Sequence, residues 1–176
     1  ANFFRDSLER QKQFTTLDEE LRYVDYYLTF EKARFGSSLI LTKEIEPETL
    51  KQKIPSLVLQ PIVENSIKHG MSKTGKLTLT IKAYLSNGYL NLSVKDNGHG
   101  ISKADLMKIK KMSASSKGLG IGLNNIRERL RSLYGSANLL KIVSELEKGT
   151  EVCLKIPVNK RTASSKKTET PQFEQV

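Results

Sequence analysis

The sequence predicts an α/β domain that follows a separate amphipathic helix. Three patterns support this: apolar residues at helical spacing over 17–36, alternating apolar residues around the Asn-Gly pair at 87–88, and a second alternating stretch around the Lys-Gly pair at 148–149. Steps of three and four residues are typical of a helix with one buried face, and strict alternation is typical of a half-buried strand. Together these patterns favour helices packed on a sheet.

The first helix is predicted over residues 17–36. Thr16 followed by Glu19 forms a capping box, in which a hydroxyl and a carboxylate satisfy backbone amides that have no partner within the helix. Gly36 is a natural C-terminal stop. The apolar face, which needs a partner surface, is formed by Leu17, Leu21, Val24, Leu28 and Phe35. The end of another apolar helix is indicated ahead of it by Phe3, Phe4 and Leu8.

The rest of the chain alternates between strands and helices. Residues 39–54 are predicted to form a strand and a connector, and a helix follows from Pro55, which suits a first turn, to Gly70. The later predicted elements are strands 77–83 and 90–94, helices 102–112 and 122–134, and strands 138–144 and 150–157. A mobile loop is expected over 113–118 and a disordered polar tail over 159–176.

Composition places the chain among globular proteins. Its 176 residues are enough for one domain with a buried core plus an extra segment, and 38% hydrophobic and 27% charged residues are typical of a soluble protein. No apolar run approaches the roughly 18 residues of a membrane helix, and the first residues lack the features of a signal peptide. We therefore expect a soluble, cytoplasmic chain. The lone Cys153 excludes a disulfide or a zinc site built from cysteines and is expected to be a buried structural thiol.

The net charge of +10 raises the alternative of nucleic-acid binding, since basic surfaces neutralise phosphates. The basic residues are spread along the chain, however, and the visible cluster lies in the Ser/Thr-rich tail, where Phe173 is the only aromatic residue. That cluster consists of Lys160, Arg161, Lys166 and Lys167. The distribution favours solvated faces and a disordered tail, with nucleotide phosphates and acidic proteins as further partners of the positive charge.

The segment from Glu64 to Gly70, Glu-Asn-Ser-Ile-Lys-His-Gly, is the first of three motifs with chemical content. Asparagine is disfavoured within a helix unless its amide has a task, which indicates Asn65 as a ligand for Mg²⁺. Glu64 would order water or accept a proton, and Lys68 and His69 would face phosphate oxygens. The alternative for this segment is a solvated helix face with an internal hydrogen bond.

The second motif is Asp-Asn-Gly-His-Gly at 96–100. Asp96 ends a predicted strand, where its carboxylate can accept a hydrogen bond from the exocyclic amine of adenine. Gly98 and Gly100 permit backbone conformations and close contacts that side chains prevent. The alternative is a plain turn, since Asp-Asn-Gly is a common turn sequence.

The third motif is Gly-Leu-Gly-Ile-Gly at 118–122, directly before a predicted helix. Backbone amides and the helix N-terminus form an anion site there. The segment lacks the Gly-Lys-Ser/Thr of a P-loop, and it does not follow a strand as a dinucleotide fingerprint does. The preceding loop could close over a nucleotide, with Lys110, Lys111 and Lys117 close to its phosphates. In this order the three motifs predict a pocket for Mg²⁺ and ATP.

These motifs resemble the ATP-binding domain of the GHKL superfamily, which includes histidine kinases, gyrase, Hsp90 and MutL. The Gln-Pro-x-x-Glu-Asn-x-x-x-His-Gly form at 60–70 and the stretch 17–35 resemble the LytS/YesM-type sensor histidine kinases. The resemblance implies a two-layer α/β (α+β) sandwich, the Bergerat fold, with a mixed, mostly antiparallel sheet packed on helices and a helical segment in front. It divides the chain into the end of a dimerisation region (1–36), an ATP-binding catalytic domain (37–158) and the tail (159–176).

The same resemblance implies roles for individual residues. Asn65 is the expected Mg²⁺ ligand, and Asp96 is expected to read adenine with support from Thr150. The glycines of the third motif are expected to hinge a lid. The implied catalytic set is Glu64, Asn65, Lys68 and His69. The implied nucleotide-binding set is Asp96, Gly98, Gly100, Ile101, Lys117, Gly118, Leu119, Gly120, Gly122, Leu123 and Thr150.

Two features depart from the family pattern. The acceptor histidine of these kinases lies in an Asn-Pro-His-Phe-type segment ahead of a Phe-Arg-x-Ser-Leu stretch, and here the chain begins at Ala1 with that stretch. Neither His69 nor His99 fits an acceptor context, so we expect ATP binding without autophosphorylation. Pro61 stands where GHKL ATPases carry a glutamate that activates water, as suits a kinase that passes phosphate to histidine.

The leading hypothesis is therefore the catalytic domain of a two-component sensor histidine kinase, which donates the γ-phosphoryl group of ATP to an upstream histidine for relay to an aspartate of a response regulator. In the full-length protein we expect a homodimer and upstream membrane segments, with this domain in the cytoplasm. The alternative is a non-catalytic GHKL-type module that binds nucleotide to switch a protein interaction through helix 17–36. Direct nucleic-acid binding is not expected.

Overall fold

Seven strands, four α-helices and two short 3₁₀ helices (Gly36–Ser38 and Pro47–Thr49) make up the part of the chain that the computed structural model describes, which comprises residues 13–71, 75–111, 121–136 and 138–158. The α-helices are α1 (Leu17–Phe35), α2 (Leu59–Gly70), α3 (Lys103–Lys111) and α4 (Ile121–Tyr134). The strands are β1 (Phe14–Thr16), β2 (Leu39–Ile45), β3 (Lys53–Pro55), β4 (Leu77–Ser86), β5 (Tyr89–Asp96), β6 (Leu140–Glu145) and β7 (Gly149–Pro157). The predicted apolar segment with Phe3, Phe4 and Leu8, the loop 113–118 and the tail 159–176 lie outside the described residues.

A five-stranded sheet in the order β2-β4-β5-β7-β6 forms one layer. β2 runs parallel to β4, and the other neighbouring strands are antiparallel. β1 and β3 form a separate antiparallel pair. Since α2 contacts β4, β5 and β7, and α4 contacts both α2 and β6, the helices form a second layer on one face of the sheet. The expected sandwich with a mixed, mostly antiparallel sheet is confirmed.

The core lies between the sheet and the helices. Alternate strand residues such as Leu79, Ile81 and Leu92 are at most 1% exposed, and they meet Ile62 of α2 and Leu130 of α4 in one cluster. Each apolar side chain buried in this way stabilises the fold by roughly 1.5–3 kcal/mol. The intervening strand residues lie on the opposite face of the sheet, which is polar. Examples are Thr80, Lys82, Ser93 and Lys95.

Cys153 lies on this polar face and not in the core. Its neighbours Val152 and Leu154 occupy the core side of β7, which leaves Cys153 partly exposed between them. The prediction of a buried thiol is therefore wrong, because the alternation of β7 assigns that position to the other face. Partial burial still raises the pKa of the thiol, and the negative charge of Glu151 adds to this.

The first helix matches its prediction closely. The Thr16 hydroxyl accepts a hydrogen bond from the Glu19 amide (3.2 Å), and the Thr16 amide donates to the Glu19 carboxylate (2.9 Å), so the capping box is confirmed. The amide of Leu17 also donates to the carbonyl of Gln52 at 3.0 Å. Together with the burial of its apolar face against α2 and β2, this joins α1 to the sandwich.

A break at Leu57 separates β3 from α2. Pro55 pairs with Phe14 in the ladder between β3 and β1, and α2 begins only at Leu59. Leu57 has a φ of +59°, in the left-handed region that side chains rarely adopt. The prediction that this helix begins at Pro55 is therefore wrong, because proline is equally compatible with a short strand that has no further partner. The end of the helix at Gly70 is confirmed.

None of the helices in the described residues combines the length and the hydrophobicity that crossing a bilayer requires.

Candidate nucleotide-binding site

A cavity of about 280 Å³ lies between α2, the loop after β5, α3 and the start of α4. Its apolar lining consists of Ile62, Ile101, Ile109, Leu123, Leu146 and Val152. Its polar side chains are Asn65, Ser66, His69, Asp96, Ser102, Asp105 and Thr150. Mostly apolar walls with a few convergent polar groups are typical of a ligand site. The cavity brings together residues from the first and second motifs and from the helix that follows the third.

Asp96 lies at the end of β5 with only 5% of its surface exposed. Its Oδ1 accepts hydrogen bonds from the amides of Gly98 (3.0 Å) and Thr150 (3.1 Å). A carboxyl that is fixed by two backbone donors and lines a cavity is a preorganised acceptor for a ligand amine.

The glycines of the second motif serve close backbone contacts. A Cβ on Gly98 would lie 2.3 Å from the Cα of Gly70, the last residue of the first motif. Gly100 has a φ of +67°, and a Cβ there would lie 2.0 Å from the carbonyl oxygen of Glu145. Both positions therefore exclude side chains, and the contact between Gly70 and Gly98 holds the first two motifs against each other.

Ser144, which belongs to none of the three sequence motifs, links the Thr150 hydroxyl to Ile101, the residue after the second motif. The Ser144 hydroxyl donates to the carbonyl of Gly149 (3.0 Å), lies 2.8 Å from the Thr150 hydroxyl and accepts a hydrogen bond from the amide of Ile101 (2.8 Å). Ser144 and Thr150 are partners in the β6–β7 ladder. Only the register of that hairpin, which a local pattern does not give, would reveal this contact.

The first motif divides between two faces of α2. Asn65, Ser66 and His69 line the cavity, whereas Glu64 and Lys68 lie in a groove beside Tyr27 and Arg34 of α1. The Glu64 carboxylate also accepts a hydrogen bond from the side-chain amide Nε2 of Gln60 at 2.6 Å. The structure thus brings Asn65 and His69 to the cavity but does not place Glu64 or Lys68 in its lining.

His69 lies at the rim of this cavity. Partial burial lowers the pKa of its imidazole, and the positive charge of Lys68 lowers it further. An imidazole with a pKa below the ordinary value of 6.5 is uncharged at neutral pH. His69 can therefore donate or accept a hydrogen bond at neutral pH, but it does not carry a positive charge toward an anion.

The last residue of the third motif lies next to a residue of the cavity lining. Gly122 lies beside Asn65, and the next residue, Leu123, lines the cavity wall. The backbones of Lys110 and Lys111 belong to the end of α3. The remaining predicted residues of this region lie outside the described part of the chain: Lys117, Gly118, Leu119 and Gly120.

Ser102 and Asp105, which lie outside the three sequence motifs, also line the cavity. The Ser102 hydroxyl accepts a hydrogen bond from the Asp105 amide (3.1 Å) and donates to the Asp105 carboxylate (2.9 Å) at the start of α3. Hydrogen bonds from Lys108 and Ser102 lower the pKa of this carboxyl. The sequence contains a signal for this helix start, because Ser-x-x-Asp at 102–105 is a capping-box pattern.

The described residues fit a magnesium nucleotide. The Asp96 carboxyl suits an exocyclic amine, and the apolar side chains of Ile101 and Leu123 suit a planar base. Asn65 supplies an amide oxygen of the kind that Mg²⁺ accepts while it keeps phosphate and water as its other ligands. The absence of a side chain at Gly122 leaves space beside that amide.

The family model of histidine kinase-, DNA gyrase B- and HSP90-like ATPases matches residues 51–160, which include every described residue of this cavity. The chain belongs to this family. A second family model, for histidine kinases, matches residues 1–39. The GHKL resemblance is thereby confirmed.

The chain is similar to sensor proteins of bacteria. The chain is 38% identical over 158 residues to the sensor protein LytS of Bacillus cereus, covering 88% of this chain and 27% of the relative. It is 36% identical over 154 residues to the sensor histidine kinase YesM of Bacillus subtilis, covering 87% of this chain and 26% of the relative. The chain thus spans about a quarter of the length of these curated relatives.

Solved structures of histidine kinases share the fold. The catalytic domain of histidine kinase ThkA, in a nucleotide-free form, is 24% identical with a TM-score of 0.59, over 84% of this chain and 99% of that chain. The histidine kinase AdeS of Acinetobacter baumannii is 16% identical with a TM-score of 0.59, over 84% of this chain and 68% of that chain. Residues 51–160 are an ATP-binding catalytic domain of the kind found in sensor histidine kinases.

Proposed function

We propose that this chain binds Mg²⁺ and ATP in the cavity beside Asp96 and donates the γ-phosphoryl group to a histidine of the same sensor kinase, for relay to an aspartate of a response regulator. The observation that carries the proposal is the buried Asp96 carboxyl, which two backbone amides hold at the wall of an apolar cavity. The relatives LytS and YesM, named as a sensor protein and a sensor histidine kinase, support the same function.

We propose that one group of residues binds the adenine end of the nucleotide and another group binds its phosphate end. Asp96 accepts a hydrogen bond from the adenine amine, and Thr150 supports that end through Ser144. Asn65 ligates Mg²⁺, which neutralises phosphate charge when bound. Uncharged His69 donates a hydrogen bond toward the phosphates. We propose that Lys117 and the glycine motif at 118–122, which includes Leu119, supply backbone amides to the phosphates.

Glu64 and Lys68 lie beside α1 and are assigned roles at the edge of the site. Both side chains lie in the groove between α2 and α1, next to the cavity and not in it. We propose that Glu64 orders water or accepts a proton and that Lys68 attracts phosphate from the rim. Pro61 occupies the position of the water-activating glutamate of GHKL ATPases, which favours transfer to histidine over hydrolysis.

In the full-length protein we propose a homodimer on the cytoplasmic side of the membrane, attached through upstream segments. Residues 1–36 contribute the end of the dimerisation region, 37–158 the catalytic domain and 159–176 a polar tail. Support for this division comes from the two family models, which match 1–39 and 51–160. The packing of α1 on α2 provides mechanical contact between the two regions.

Calorimetric titration with a non-hydrolysable ATP analogue tests the nucleotide assignment. We expect binding that depends on Mg²⁺ and is lost when GTP replaces the ATP analogue. Asp96→Asn keeps an oxygen that can accept both backbone hydrogen bonds, so this variant should fold normally and yet lose nucleotide binding. Equal affinity of Asp96→Asn and the unaltered chain would rule out the adenine assignment.

Transfer to a purified region that carries the acceptor histidine tests the kinase assignment. Formation of phosphohistidine, with ADP as the other product, supports the kinase. Nucleotide-dependent association with that region, without transfer, would instead support a regulatory module that uses nucleotide as a switch.

A further inference from the structure

The N-terminus of α2 is capped by a side chain from a different helix. Val58, at the N-cap position of α2, makes no side-chain hydrogen bond to the first turn. Instead, the Glu20 carboxylate of α1 accepts hydrogen bonds from the amides of Leu57 (2.7 Å), Val58 (3.2 Å) and Leu59 (3.0 Å). One carboxylate therefore satisfies consecutive amides that the helix leaves without an internal partner.

Glu20 is only 1% exposed, so its carboxylate depends on these donors. Burial raises the pKa of Glu20, while hydrogen bonds from the backbone amides at 57–60 oppose that rise. A buried carboxylate is costly without such partners, and a helix N-terminus favours negative charge. The pairing between Glu20 and the α2 N-terminus is therefore mutual: each group needs the other.

The turn that Glu20 holds is strained. Leu57 adopts a φ of +59°, although it is neither glycine nor asparagine. On the other side of the turn, the Arg129 guanidinium of α4 donates a hydrogen bond to the carbonyl of Ser56. Contacts from α1 and from α4 thus hold this turn in a conformation that the local sequence does not favour.

We propose that Glu20 is a positioning residue of the nucleotide site, which couples the seating of α1 to the position of α2 and hence of Asn65. Asn65 lies about 9 Å along the helix axis from Leu59, so a shift at the helix N-terminus is carried rigidly to the cavity. When α1 is displaced, the amides at 57–59 lose their cap and the strained turn relaxes. The link to nucleotide rests on the proposed function, whereas the link between α1 and α2 rests on the hydrogen bonds alone.

Glu20→Gln in the full chain is the direct test, with Leu140→Ala as the matched control. Leu140 is 8% exposed in β6, at the opposite edge of the sheet from the strand β2 that α1 contacts, so its truncation destabilises the fold without displacing α1. We expect amide hydrogen exchange at 57–59 to accelerate about tenfold in Glu20→Gln relative to the β4 and β5 amides. Affinity for the ATP analogue should fall about tenfold. Leu140→Ala should leave both the affinity and the relative exchange rate at 57–59 unchanged at an equal loss of stability.

Leu57→Gly provides a second test. Recovery of affinity on combining it with Glu20→Gln is a result that a merely structural role of Glu20 would not produce. Glycine adopts positive φ without cost, so the double variant Glu20→Gln/Leu57→Gly should recover most of the lost affinity. Additive effects of the two substitutions would overturn the coupling to the strained turn. Exchange at 57–59 that is unchanged in Glu20→Gln would overturn the inference as a whole.

The two proposals fail in different ways. Absence of nucleotide binding by the unaltered chain would count against the proposed function, while exchange at 57–59 would still decide whether Glu20 secures α2. Should Glu20→Gln fail to fold, Glu20→Asp retains the charge on a side chain shorter by one methylene. Faster exchange at 57–59 in that variant supports the inference, and unchanged exchange overturns it.

Discussion

Gly122 at the start of α4 lies against the side-chain amide of Asn65 in α2, so that a Cβ on Gly122 would be 3.1 Å from Asn65 Nδ2. The contact joins the last glycine of the third motif to the expected magnesium ligand of the first. A separation of 3.1 Å is tighter than an ordinary van der Waals contact, so the amide must shift if a methyl group is present. The space next to this amide is therefore a specific requirement of the site.

Gly122→Ala should weaken magnesium-dependent nucleotide binding without destabilising the fold. Alanine is the better helix former by about 1 kcal/mol, which offsets the small steric cost in α4. We expect affinity for the ATP analogue in the presence of Mg²⁺ to fall about fivefold. Calorimetry measures this, with Ser132→Ala on the exposed side of the same helix as control. A loss of stability with unaltered affinity would contradict the prediction.

Gly98→Ala should disrupt both the fold and the site. The added Cβ would lie 2.3 Å from Gly70 Cα, and neither backbone segment can yield as a flexible side chain would. We expect a loss of about 3 kcal/mol or more in unfolding free energy, measured by urea denaturation. Gly88→Ala is the control, because nothing lies within 4 Å of its added Cβ and only its φ of +75° causes strain. That control should cost about 1–2 kcal/mol; equal losses would refute the contact argument.

Ser144→Ala should loosen the adenine end of the cavity. The substitution leaves the Ile101 amide without its acceptor and removes the partner of the Thr150 hydroxyl. Loss of these partly buried hydrogen bonds should cost about 1–3 kcal/mol of unfolding free energy and weaken nucleotide binding. Ser93→Ala, on the polar face of β5, is the matched control and should leave affinity unchanged. Equal affinities of the two variants would exclude a role for Ser144 at the site.

Acid should weaken the N-terminus of α1 through Glu19. A hydrogen bond from the Thr15 hydroxyl, followed by one from the Thr16 amide, lowers the pKa of Glu19 from 4.5 to about 2. Because the folded-state pKa is depressed, the contribution of Glu19 to stability is present above pH 4.5 and is lost as the pH falls toward 2. Urea denaturation at a series of pH values should show this loss in the unaltered chain. In Glu19→Gln the corresponding part of the pH dependence should be missing, and identical profiles would contradict the assignment.

Most elements were predictable because their signals are local. The capping box of Thr16 and Glu19 marks the start of α1, and the turn at 87–88 joins β4 to β5 as expected. Strand and helix boundaries elsewhere agree within a few residues. The start of α2 was not predictable from Pro55, since the choice between strand and helix there depends on pairing with Phe14, a contact distant in sequence.

The site was predictable in its residue types but not in its orientation. Asp96 and Asn65 line one cavity as their motifs indicate. Lys68 was expected to face phosphate oxygens, but the burial of Ile62 and Ile67 sets the rotation of α2 and directs Lys68 toward α1. Strand register and helix packing, which depend on the whole fold, decide such details.

Because helices cover only one face of the sheet, the strand positions differ in how well they should accept substitutions. Along β4 and β5 the core residues alternate with residues on a polar face that contacts no part of the cavity. Substitutions should therefore be accepted at every second position and rejected at those between. A complete single-substitution scan would show tolerated and rejected positions alternating with a period of two residues in these strands. The alternation would end at Asp96, because this last residue of β5 lines the cavity.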